Sequence, residues 1–126
     1  MKKLLLSILF VLFSILLFAQ PTYLRGYKTY FGTPSQGSNT TWNTSRDSNL
    51  LIKIDGSHIT IYSETQQDIH TTGMISEVEN QSKWFALDQD GKKCHLYLGY
   101  ESSINSTYLM VEYTDLIVCI YTKTEE

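Results

Sequence analysis

The sequence is poor in the residues that staple small folds or build metal centres. Its 126 residues include only two cysteines, Cys94 and Cys119, and two prolines. Two cysteines are too few for a disulfide scaffold, and without close Cys/His partners they make no structural zinc site. No Cys-x-x-Cys, His-x-His or His-Glu-x-x-His spacing occurs, so no metal or other cofactor is expected. Basic residues are in deficit, 10 Lys and Arg against 13 Asp and Glu, which argues against a nucleic-acid partner held by phosphate neutralisation. The Gly-x-Ser-x-Gly elbow and glycine-rich phosphate loops are missing too. Beyond the N-terminal run, no segment of ten or more residues carries a 3.6-residue apolar period. What is left is one small domain with strand signals and no catalytic signature.

The long apolar run lies at the start. Met1-Lys2-Lys3 precedes a nearly unbroken apolar stretch from Leu4 to Phe18, followed by Ala19. A positive region, an apolar region and a small residue at the cleavage point make a secretory signal peptide over residues 1–19. The run is short for a membrane span, which needs roughly 20 apolar residues. A retained N-terminal anchor is the alternative to cleavage. A secreted or periplasmic location follows from cleavage, with no stable membrane insertion afterwards.

Residues 20–48 read as a polar arm with embedded aromatics. Between Gly32 and Ser48, 14 of 17 residues are Ser, Thr, Asn, Gly, Pro or Gln, a composition that supplies no core face and predicts a loop. Trp42 stands out there and is expected to pack back onto the domain.

Residues 49–126 carry the β signals. Leu50, Ile52 and Ile54 alternate with Leu51, Lys53 and Asp55, and Ile59 and Ile61 continue the pattern after Gly56-Ser57. A two-residue turn there pairs Ile54 with Ile59 and Ile52 with Ile61. Asp90-Gly91 predicts a second hairpin, with Leu87 opposite Cys94, Phe85 opposite Leu96, and Trp84 beside Tyr97 and His95 on the other face. Thr114-Asp115 marks a third reversal, setting Val111 against Val118 and Leu109 against Ile120, although a longer loop fits equally well. Gly73 inside Asp68–Val78 suggests a bulge, and Ser102–Thr107 a polar loop. The count is six to seven strands in an antiparallel barrel or sandwich, largely a meander.

The Phe18-Ala19-Gln20 end of the leader resembles those of Bacteroidota. The stretch Leu51 to Asp55 through Ile59 to Ser63, with Asp88-Gln89-Asp90-Gly91-Lys92-Lys93-Cys94, is similar to small uncharacterised secreted proteins of such bacteria. That resemblance implies export and a β fold, and no activity.

The chemistry-bearing residues have ordinary explanations. His58 faces Asp55 across the first turn, which suits a cross-strand polar pair. Asp88-Gln89-Asp90-Gly91 echoes a calcium loop but lacks its further ligands, and Asp90-Gly91 needs only a turn. Four Asn-x-Ser/Thr triplets begin at Asn39, Asn43, Asn80 and Asn105 and are expected by chance in a chain this rich in Ser, Thr and Asn. Nine tyrosines and two tryptophans suit recognition of proteins or sugars, and Trp42, Trp84 and Tyr97 are the candidate interaction aromatics. A Cys94–Cys119 disulfide is chemically permitted after export. The meander argues for two free thiols, because it inserts a strand between them and points them to opposite faces.

The function expected is a non-enzymatic binding or interaction module whose partner is an envelope protein or a small apolar ligand. A calycin-like barrel holding that ligand and an unrecognised envelope hydrolase are the alternatives. Trp42 follows Thr40-Thr41, so the Gly-x-Trp signature that marks lipocalins is missing. Mass spectrometry of the exported protein should find its N-terminus at or near Gln20. Intact Met1–Ala19 on that protein would instead establish a membrane anchor.

Overall fold

The computed structural model describes residues 21–34 and 40–124. Residues 1–19, expected to be a signal peptide, lie outside them. Eight antiparallel strands form a closed barrel in simple sequence order. They are β1 (Thr22–Pro34), β2 (Thr40–Asp55), β3 (His58–Tyr62), β4 (Gln67–Val78), β5 (Gln81–Asp88), β6 (Lys93–Glu101), β7 (Ser106–Glu112) and β8 (Ile117–Thr124). β1 pairs with β8 from Leu24↔Thr124 to Gly32↔Ile117, which removes both edges of the sheet. The count is therefore eight rather than six or seven, and the architecture is a barrel rather than a sandwich.

The extra strand, β1, and the first half of β2 come from the polar arm. Residues 40–48 form the first half of β2 instead of a loop, paired with β1 as far as Pro34↔Thr40. The middle of the expected loop, residues 35–39, lies outside the described residues. β3 pairs with β2 only between Leu51 and Asp55, so the upper half of β2 has β1 alone as a partner. A strand with both faces and one edge toward water gains nothing from apolar residues, and its threonines still favour extended backbone. Trp42 packs edge-on to Tyr30, with ring centroids 6.1 Å apart.

The isoleucine hairpin has the register its alternation dictates, Ile54↔Ile59 and Ile52↔Ile61, with Gly56 at φ 61°. The β7–β8 reversal likewise pairs Leu109 with Ile120 and Val111 with Val118 through the two-residue Thr114-Asp115 turn. β4 is irregular on both sides of Gly73, with register shifts between Thr71 and Gly73 and between Met74 and Ser76.

The β5–β6 hairpin differs from expectation by one residue. Its pairs are Ala86↔Cys94, Phe85↔His95, Trp84↔Leu96 and Lys83↔Tyr97. The cause is a three-residue loop, Gln89-Asp90-Gly91, in which the Asp88 N–H donates to the Lys92 carbonyl at 3.0 Å. Asp88 Oδ1 accepts the N–H groups of Asp90 at 3.0 Å and Lys92 at 2.8 Å, and Gly91 takes φ 76°. This is a type I turn closed by a glycine bulge, the usual three-residue alternative to a primed two-residue turn. A slip of one residue exchanges the faces of a strand. Trp84 and Ala86 therefore turn inward, and Phe85 is left 53% exposed on the outside.

Inside the barrel, Ile52, Leu96 and Leu109 are fully buried. They form one cluster with Ile59, Ile61, Ile69, Ala86, Cys94, Val111 and Ile120, and Trp84 packs against it. Ile52→Ala should cost about 2–5 kcal/mol as a buried large-to-small change. Phe85→Ala should cost less than about 1 kcal/mol, near the range for exposed sites. Denaturant melts of the two variants check this, and the reverse ranking would refute the register.

Candidate functional site

Among the described residues, the interior opens into a cavity at one end of the barrel, its mouth. Beside the β5–β6 and β7–β8 turns lies a cavity of about 440 Å³. Its floor is apolar, formed by Leu50, Ile61, Val111, Val118 and Ile120, with Thr29 among them. β3 ends at Tyr62, opposite Leu51, so above that point β2 loses its neighbour. The cavity reaches this notch, where Arg46, Leu50, Ile61 and Ser63 line it.

The rim is polar and braced. Asp88, besides holding its own turn, accepts the Tyr113 hydroxyl on Oδ2 at 2.9 Å. Lys92 Nζ sits 5.0 Å from the centre of the Tyr113 ring and 4.0 Å from Asp115 Oδ1. Gln89 accepts the Asp68 N–H at 3.1 Å, tying the loop to β4. Across the mouth, the Arg46 guanidinium lies 5.2 Å from the centre of the Phe31 ring.

Two ionisable groups at this rim are displaced from their ordinary values. Desolvation is the largest influence on Asp88 and pushes upward. It is outweighed by the hydrogen bonds from Lys92 N–H, Tyr113 and Asp90 N–H and by the Lys92 charge, so the carboxyl sits below the usual range. Burial, reinforced by the bond to Asp88, pushes the Tyr113 hydroxyl well up. The hydroxyl is thus a permanent donor to a permanent carboxylate at neutral pH.

The two cysteines are free thiols. Cys94 belongs to the interior cluster. Cys119 faces the other way, between Tyr30 of β1 and Met110 of β7, and β7 separates its strand from that of Cys94. Burial pushes the Cys119 thiol up to about 12, which makes it a poor nucleophile.

The candidate aromatics do not converge. Trp84 lines the interior. Trp42 is 44% exposed and joins an outer row in which Tyr30 packs on Tyr121, with centroids 5.5 Å apart, and Tyr121 on Tyr108 at 6.1 Å. Tyr97 lies on the outside under Lys83, 5.2 Å from its ring centre, and donates to Glu112 Oε1 at 3.1 Å. His95 Nδ1 is 3.2 Å from the same oxygen, and its ring neighbour is Phe85, not Trp84. A wider groove of about 670 Å³ runs past Phe85, His95 and Glu112 toward Pro34. Among the described residues, no group of three or more His, Cys, Asp or Glu is placed to hold a metal ion.

Sequence patterns mark Leu50, Ile61, Val111, Val118 and Ile120 as strand positions and Asp88–Asp90 as part of a turn, but not as the lining of one mouth. The signal that could have found them is the aspartate opening Asp88-Gln89-Asp90-Gly91, since Asp at the first position of a type I turn caps its backbone N–H groups. Comparisons with family models, with curated proteins and with solved structures each returned no match.

Because its folded-state value is lowered, Asp88 adds stability that is present above its unfolded value, near 3.8. That contribution is lost as pH falls through the lower folded value. Asp88→Asn should therefore lower the melting temperature by a few degrees near neutral pH, with the gap closing as pH falls below about 4. Thermal melts across that range decide it, and a gap independent of pH would show that the carboxylate charge is not what braces the loop.

Proposed function

We propose that the chain is an exported, non-enzymatic binding protein that takes a small, largely apolar molecule into the open mouth of its barrel. The observation that carries this reading is the mouth cavity. It joins an aliphatic floor to a rim of charged and hydrogen-bonding groups. Ligand sites are apolar concavities of roughly 300–1,000 Å³ with a few polar groups that fix orientation, and this cavity falls in that range. An eight-stranded barrel is just wide enough either to be filled by its own side chains or to hold one small ligand. Here the two conditions occur at different depths, with Ile52, Leu96 and Leu109 filling the interior beneath the cavity.

The reading is calycin-like in its mechanics. Binding would be driven by transfer of apolar surface from water onto Leu50, Ile61, Val111, Val118 and Ile120. Orientation would come from the Asp88–Tyr113–Lys92 brace on one side and Arg46 on the other. An envelope protein engaging the tyrosine-rich exterior has less support, because the rings of Tyr30, Tyr121 and Tyr108 pack mainly on one another.

A neutral naphthylamine dye whose fluorescence rises in apolar surroundings tests the site. It should bind saturably at one site per chain. Val118→Trp, which fills the floor, should weaken binding at least tenfold, an effect worth about 1.4 kcal/mol or more. Tyr97→Ala, on the outside, should leave affinity unchanged. Absence of saturable binding, or full binding to a folded Val118→Trp variant, would refute the proposal.

A further inference from the structure

The outer wall of the barrel, away from the mouth, carries a row of side chains that neither the fold nor the proposed ligand site uses. Asp55 of β2, His58 of β3 and His70 of β4 stand in direct register, Asp55↔His58 and His58↔His70. All three alternate with inward isoleucines, so all three point outward. The backbone beneath them is fixed, because Ile59 and Ile69 are each only 2% exposed. The two imidazoles are exposed neighbours with ring centroids 4.5 Å apart and planes tilted by 47°.

Two exposed histidines side by side gain little as a packing pair, and their spacing has another use. Imidazoles sharing one ion at about 2.0–2.1 Å from each donor nitrogen have centroids roughly 4.5–5.2 Å apart for bond angles between about 90° and 110°. The observed separation lies at the near end of that window. Ser57 Oγ is 3.4 Å from His70 Nδ1. With Nδ1–H donating to the hydroxyl, the ring keeps its lone pair on Nε2, the outer hydrogen bond by which ligating histidines are oriented. Asp55 is the register partner of His58 but is not placed as a third ligand.

We propose that His58 and His70 form a two-histidine site for a divalent transition ion of the nickel, copper or zinc type, completed by water. Two nitrogen donors select such ions over magnesium and calcium, which take oxygen ligands. The ion would bridge β3 and β4, whose register spans only His58↔His70 to Ile61↔Gln67, the shortest pairing in the barrel. The site lies on the outside of β3 and β4 and shares no residue with the lining of the mouth.

Thermal unfolding of the tag-free protein with nickel, copper or zinc chloride tests the site. The melting temperature should rise by several degrees, with copper giving the largest shift and magnesium none. His58→Gln and His70→Gln should each abolish most of the shift, and His95→Gln, at a histidine engaged by Glu112, should leave it intact. A shift of equal size in all three variants, or no shift at millimolar ion, would overturn the proposal. Paramagnetic broadening in the unmodified protein supplies a readout that needs no variant. Copper should first erase the ring resonances of His58 and His70, and prior loss of the His95 signals would count against the site.

Discussion

Everything in this structure depends on the pairing of its first strand with its last. β1 and β8 meet over the span from Leu24↔Thr124 to Gly32↔Ile117, and that contact turns an eight-stranded meander into a barrel with an inside. It requires close approach at Gly26, where a Cβ would stand 2.6 Å from Ile120 Cγ2. A side chain at that position would push apart the strands that close the barrel. Once closed, the sheet has no unpaired first or last strand, and the edge left open among the described residues of β2 is its polar upper half. Its inward isoleucines and leucines also acquire a common core that no single hairpin could provide.

Closure alone would give a filled barrel, and strand length decides where the filling stops. β3 has five residues, whereas its neighbour β2 has 16. Below the end of β3 the interior is packed tight around Ile52, Leu96 and Leu109. Above it, β2 continues without a partner on that side, the wall is notched, and the aliphatic floor meets open space. Asp88 then acts as a keystone for the opposite rim. One carboxylate caps its own turn and takes the Tyr113 hydroxyl, which holds the β5–β6 loop to the β7–β8 turn. The polar rim and apolar floor thus follow from two local features, a short strand and an aspartate-capped turn.

Much of this was legible in the sequence wherever alternation and turn chemistry agreed. The Ile52–Ile61 hairpin and the Val111–Val118 pairing needed only period-two patterns and loop length. Two features were not legible, for physical reasons. The polar half of β2 has no inward apolar face to reveal it, since β1 pairing and solvent satisfy it without a core. The β5–β6 register turned on whether Asp90-Gly91 formed a two-residue turn or the end of a three-residue one. Asp88 side-chain hydrogen bonds favour the longer loop, and that one residue moves Trp84 into the core and Phe85 out of it. The mouth cavity itself depends on the ends of several strands at once, which no local pattern encodes.

The central claim is that the barrel binds at its open mouth and not along its aromatic exterior. Methyl and aromatic nuclear Overhauser contacts to a bound neutral naphthylamine dye test this most directly. The account predicts contacts from the dye to the methyl groups of Leu50, Ile61, Val111, Val118 and Ile120. Contacts instead to Trp42, Tyr97 or Phe85, with the interior methyls silent, would contradict it.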